Sequence, residues 1–201
     1  MMDFYYSPTT CSQAAHILLH EAGLPFRARK VDIFTGQVED GSDYAGINPN
    51  GYVPALVFDD GALLTENVAI LDWIAGQGAS LIPPDDMGRT RHLQMLAFVS
   101  TELQKPFVRL FFTEREEEKA HLTETLTKRF RWIASRMEGD YIFGDRFTAS
   151  DAFVYVMVRW AAMAEIDVPD ELHGLARRVE RREAVRTVLA KEEAEPLRGA
   201  A

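Results

Sequence analysis

The sequence predicts an α/β unit followed by an all-helical unit, and three observations carry that prediction. Strand-like and helix-like segments alternate through residues 1–78; only helical periodicity follows from about Met87; and a Gly- and Pro-rich stretch holding Gly76, Gly78, Pro83, Pro84 and Gly88 separates the two patterns. The expected division is therefore 1–78, a linker over 79–88, and 89–201. With 201 residues, 47% hydrophobic and 26% charged, the chain has the composition of a globular protein and not of a disordered or collagen-like one.

Each element has its own signal. Asp3-Phe4-Tyr5-Tyr6 is a short aromatic strand ended by Ser7-Pro8. From Ser12, residues Ala14, Ile17 and Leu18, with Ala15, Leu19 and Ala22 beside them, keep helical spacing until Gly23 and Pro25 stop it. Val31-Asp32-Ile33-Phe34 reads as a second strand. Asn48-Pro49-Asn50-Gly51 is dense turn chemistry, and Pro54 heads the apolar run Ala55-Leu56-Val57-Phe58. Asp59-Asp60-Gly61 predicts a hairpin turn into Leu63-Leu64, after which Val68, Ile70, Leu71 and Ile74 mark a helix. In the second half, Thr148 and Asp151 have the spacing of a capping box, placed before the run Ala152–Val158, which reads as a buried helix. That run is too short to span a membrane, and Arg159 follows it.

Composition also limits function. Subtracting 31 Asp+Glu from 22 Lys+Arg leaves −9, so the overall basic footprint of a nucleic-acid or acidic-lipid binder is missing. The single cysteine, Cys11, excludes an internal disulfide framework. Met1 to Thr10 carry no Lys or Arg, so no cationic signal peptide is expected, and the expected location is the reducing cytoplasm. Glu114 to Lys119 reads as a solvated helix face, and the arginines from Arg177 to Arg186, interleaved with Glu180 and Glu183, read as a salt-laced surface.

The candidate chemistry begins at Cys11, which follows a strand and a turn and stands at a helix start. The positive end of the helix dipole there can lower a thiol from about 8.5 and favour the thiolate; the alternative is a small buried residue closing the turn. Tyr5 and Tyr6 are adjacent on a strand and point to opposite faces, so at most one looks into a site. Glu66-Asn67 lies at a strand-to-helix junction, where a carboxylate and an amide can hold an ammonium and a carboxylate, or can merely cap the helix. His16 and His20 lack the intervening Glu and third ligand of a zinc motif, so no metal is expected. A complete dinucleotide loop, a phosphate loop and a serine-hydrolase elbow are missing from the sequence.

Four segments in order, Phe4 to Ser12, Asn48 to Leu56, Leu64 to Ile70 and Phe147 to Ala152, resemble bacterial glutathione S-transferases, most of all the beta class with its cysteine at the position of Cys11. The resemblance implies a thioredoxin-like N-terminal domain, an all-helical C-terminal domain, a homodimer and a cis Val53-Pro54 peptide. It implies glutathione as co-substrate, with the Val53 backbone, flanked by Tyr52 and Pro54, pairing with the cysteinyl part and Glu66 and Asn67 holding the γ-glutamyl end. Cys11 or Tyr6 would then stabilise the glutathione thiolate for attack on a small electrophilic, apolar second substrate, and Phe107, Leu110 and Trp160 would form its apolar wall. Three positions depart from the pattern. Gln104 stands in place of a histidine, Gly36 in place of a lysine near the start of an expected second helix, and Ala97 in place of an asparagine. Gln104 is kept as a glutathione contact without a base role. Two alternatives stand beside conjugation: thiol–disulfide transfer through Cys11, and a non-catalytic binding protein of the same fold.

Overall fold

The computed structural model describes residues 1–78 and 80–193. Strand β1 (Met2–Tyr6) lies at the centre of a five-stranded sheet whose order is β3 (Gln37–Val38), β2 (Phe26–Asp32), β1, β4 (Ala55–Val57) and β5 (Leu63–Leu64). It runs parallel to β2 (Phe26–Asp32) and antiparallel to β4 (Ala55–Val57), with Tyr5 opposite Arg29 on one side and Ala55 on the other. A parallel pair needs a crossover, and α1 (Ser12–Glu21) provides it. Strand alternation then sorts the aromatic residues of β1. Tyr5 packs with Val31, Val38, Tyr44 and Ala55, while Phe4 and Tyr6 meet the His16 ring of α1 on the other face.

The hairpin at Asp59-Asp60-Gly61 forms as expected. Gly61 takes φ +84°, which a side chain disfavours, and the Phe58 N–H reaches the Ala62 carbonyl at 2.9 Å before β5 (Leu63–Leu64). Helix α2 (Asn67–Ala75) follows and packs on α1. The second strand needs correction. It covers Phe26–Asp32, and Ile33 and Phe34 belong to the turn beyond it, Phe34 being 82% exposed. Asp32 Oδ1 accepts the Phe34 and Thr35 N–H groups at 2.9 and 3.3 Å, so the side chain bends the backbone where the apolar pattern alone suggests continuation. The two-residue strand β3 (Gln37–Val38) and the 3₁₀ turn Tyr44–Gly46 come next. Gly36 therefore lies in a tight turn and not at the start of a second helix.

The described residues divide into two compact units: 1–78 with 183–193, and 80–182. In the first, α8 (Glu183–Lys191) packs on α1 although it is the last helix among the described residues. The second contains α3 (Gly88–Phe98), a π-helical turn (Val99–Gln104), α4 (Lys105–Phe112), α5 (Glu116–Ala134), α6 (Ala149–Met163) and α7 (Asp170–Glu180). Helix α6 is buried along nearly its whole length, as its apolar run predicts. Its capping box is present: Asp151 Oδ2 accepts the Thr148 N–H and hydroxyl, both at 2.7 Å, and Oδ1 accepts the Ile142 N–H at 2.8 Å. Arg159 is accommodated within this unit by Tyr155 and Glu180. Arg178 and Arg182 lie over the Tyr141 and Phe147 rings, at 5.9 and 4.3 Å from their centroids.

Candidate active site

The loop leaving β1 is cross-braced. Thr10 Oγ1 and Ser12 Oγ both donate to the Ser7 carbonyl, at 2.8 and 3.0 Å, and Ser12 Oγ accepts the Ser7 N–H at 3.2 Å. This brace delivers Cys11 to the N-cap of α1, 7% exposed, with its Sγ 3.6 Å from the Val53 carbonyl oxygen. Helix α1 has no acidic residue in its first turn, so its own sequence leaves the positive end of the dipole available to an anion.

Val53 is brought to Cys11 by the loop Asn48–Tyr52. The Tyr52 carbonyl accepts from Tyr44 Oη at 2.9 Å and from Asn48 Nδ2 at 2.7 Å. The Val53-Pro54 peptide is cis, as the resemblance implies. Burial pushes the Tyr44 phenol up to about 12, which keeps it a donor at neutral pH. Tyr44 and Asn48 lie outside the expected site; the Asn48-Pro49-Asn50-Gly51 turn signals the bend but not the carbonyl that they hold. The Tyr52 side chain is 74% exposed, and its contribution to the loop comes through its carbonyl.

Glu66 and Asn67 stand where β5 passes into α2. Glu66 occupies the helix N-cap at φ +66°, and its side chain makes no capping hydrogen bond. Asn67 is 8% exposed, and both its Oδ1 and its Nδ2 are buried without a partner. Simple capping does not account for this pair. A donor and an acceptor are held dry at a helix N-terminus beside a carboxylate, an arrangement suited to a zwitterionic amino-acid group.

Tyr6 is packed differently. Its ring lies 5.8 Å from Phe4 and 4.9 Å from His16, within the layer between sheet and helix. Burial first, then the Glu192 and Glu39 carboxylates, raise its phenol above the ordinary value, so it can donate a hydrogen bond but is not a base near neutrality. His16 directs Nδ1 to Glu192 Oε1 at 2.8 Å. Among the described residues, no three His, Cys, Asp or Glu side chains are grouped to hold a metal.

In the second unit, Gln104 closes the π-helical turn with its Oε1 buried and unpartnered. Phe107 is fully buried, its ring against Phe111, Phe130 and Trp160 at 5.8, 6.0 and 5.9 Å. It fills the space between α4, α5 and α6. Leu110 is half-buried one turn further along α4, and Trp160 contacts Phe111 at 5.6 Å. Ala97 is exposed near the end of α3.

A cysteine at the start of the first helix, opposite a residue that precedes a cis-proline, places the first unit among thioredoxin-like folds. The comparisons take the assignment further. Residues 9–77 match the family model of the glutathione S-transferase N-terminal domain, and residues 101–192 that of the C-terminal domain. Glutathione S-transferase GstA of Escherichia coli O157:H7 is 34% identical over 95% of this chain and 98% of its own length. A sphingomonad glutathione S-transferase solved with glutathione is 36% identical at a TM-score of 0.89, covering 96% of this chain and all of its own. A beta-class enzyme from Sphingomonas chungbukensis is 34% identical at a TM-score of 0.86, over 94% of this chain and 98% of its own. The chain belongs to the glutathione S-transferase family.

Proposed function

We propose that the protein binds glutathione on its first unit and conjugates the glutathione thiolate to a small electrophilic, apolar second substrate. The buried, unpartnered Asn67 amide beside Glu66 carries this reading. Glu66 receives the γ-glutamyl ammonium, while Asn67 and the α2 N-terminus receive the neighbouring carboxylate. The Val53 backbone pairs with the cysteinyl residue as an added strand would. The glutathione thiol then lies toward the start of α1, where the helix dipole favours its anion, as does the Cys11 S–H once it turns from the Val53 carbonyl to the glutathione sulfur. Its proton passes to solvent, the sulfur forms a bond to the electrophilic carbon, and the leaving group departs with the electron pair.

Tyr6, held protonated by burial, serves at most as a further hydrogen-bond donor. Gln104 in the helical unit cannot carry a proton and has no acid–base role. Thiol–disulfide transfer is the weaker reading because Cys11 is 7% exposed and already engages the Val53 carbonyl. A homodimer working in the cytoplasm completes the proposal; among the described residues no helix is long and apolar enough to cross a membrane.

The test is glutathione-dependent turnover of 1-chloro-2,4-dinitrobenzene by the wild type and Asn67→Ala. Turnover by the wild type with a raised glutathione KM in the variant supports the reading; no turnover by the wild type across a panel of electrophiles counts against it. Intact mass after treatment with oxidised glutathione tests the thiol-transfer alternative.

A further inference from the structure

We propose that Glu192 is a positioning residue for the loop that carries Cys11. It follows α8, 183 residues from Thr9 in sequence, and its side chain is fully buried in the first unit. Oε1 lies 2.8 Å from His16 Nδ1, and Oε2 accepts from Gln13 Nε2 at 2.9 Å and from the Thr9 N–H at 3.4 Å. Gln13 and His16 are one turn apart on α1, so the carboxylate grips the helix whose N-terminus forms the site. Thr9 belongs to the turn two residues before Cys11.

That triple attachment does more than neutralise a charge. Thr9 has φ +60°, a conformation a β-branched residue adopts only under constraint, and its N–H points at the carboxylate. Ser7, Thr10 and Ser12 bond to one another around it, so the turn moves as a unit, and a shift at Thr9 reaches Cys11. The His16 ring cannot yield easily. Phe4, Tyr6, His20 and Phe26 surround it at centroid distances of 5.3, 4.9, 5.5 and 5.7 Å. Glu192 thus fixes the start of α1 against a rigid aromatic layer, and the turn that follows α8 sets where the thiol site stands.

The kinetic part of this proposal rests on the transferase reading, so the experiment adds a readout that needs no glutathione. Glu192→Ala, Glu192→Gln and Gln13→Ala are compared with wild type at a temperature where circular dichroism shows all of them folded. In Glu192→Ala, Cys11 alkylation by iodoacetamide accelerates about fivefold or more as the thiol loses its fixed place. With 1-chloro-2,4-dinitrobenzene, kcat falls about tenfold or more while the glutathione KM changes little, the signature of misplacement and not of lost binding. Gln13→Ala moves both readouts the same way by less. Glu192→Gln, which keeps an acceptor for Thr9 or Gln13, restores most of both.

Lower melting temperatures with alkylation rate and kcat within about twofold of wild type would overturn the proposal and leave Glu192 a structural residue. If Glu192→Ala does not fold, Gln13→Ala, which leaves the carboxylate its His16 partner, decides on the same readouts. A wild type inactive with glutathione would refute the transferase reading, and alkylation alone would then decide the role of Glu192.

Discussion

Asn67 is held where, without a ligand, it costs stability. A buried amide with neither atom satisfied is worth about 1–3 kcal/mol against the fold. Asn67→Ala is therefore expected to leave the melting temperature of the free protein unchanged or raised, and to weaken glutathione binding about tenfold or more. Scanning calorimetry and ligand titration of one preparation check both halves; a variant that loses stability and keeps its affinity would mean the amide serves the fold. Cys11→Ala removes the thiol donor that turns from the Val53 carbonyl to the glutathione thiolate, and is expected to lower kcat/KM about ten- to a hundredfold, the value of a hydrogen bond to a charged group, with little change in glutathione KM. The sequence makes these two residues legible to different degrees. Cys11 could be placed from its turn and helix start alone. Spacing alone reads Glu66-Asn67 as a cap, and the resemblance alone implies a binding pair; the unmet hydrogen bonds of Asn67 favour the second. Tyr44 and Asn48 escaped because their target, the Tyr52 carbonyl, is a backbone atom that no side-chain motif announces.

Among the elements, the strongly patterned ones were readable: α1, the β4–β5 hairpin, and α6 with its capping box. Strand β2 starts before the expected Val31–Phe34 because Phe26-Arg27-Ala28-Arg29-Lys30 carries charges suited to an exposed sheet face, while the more apolar Ile33-Phe34 lies in the Asp32 turn. The capping box gives a pH prediction. Burial raises the Asp151 carboxyl to about 6, despite the hydrogen bonds from Ile142 and Thr148 that favour its ionised form. The unfolded group titrates near 4. Between these values the folded chain holds a proton that the unfolded chain has released, so this residue's contribution to stability falls as pH rises from about 4 to about 6. Asp151→Asn is expected to destabilise by about 0.5–2 kcal/mol through the lost cap, with the wild-type advantage larger at pH 4 than at pH 7. Urea titrations at both values check the sign. Gly88 gives a steric prediction: a Cβ there would meet the Pro83 carbonyl oxygen at 2.0 Å, so Gly88→Ala is expected to lower the melting temperature although alanine is the better helix former.

At the scale of the whole molecule, the change from mixed to purely helical periodicity was visible without any structure. The placement of α8 was not. Periodicity tells which face of a helix is buried, but not against what, and α8 packs on α1 in the first unit. Light scattering on the purified protein is expected to give twice the mass of the chain, in line with the proposed homodimer; a monomer that binds glutathione would separate assembly from site formation. The most direct test of the central claim is a calorimetric titration with reduced glutathione. Saturable binding by the wild type, weakened in Asn67→Ala, is the predicted result, whereas no heat at either of two temperatures would mean that the pair at the start of α2 does not hold this ligand.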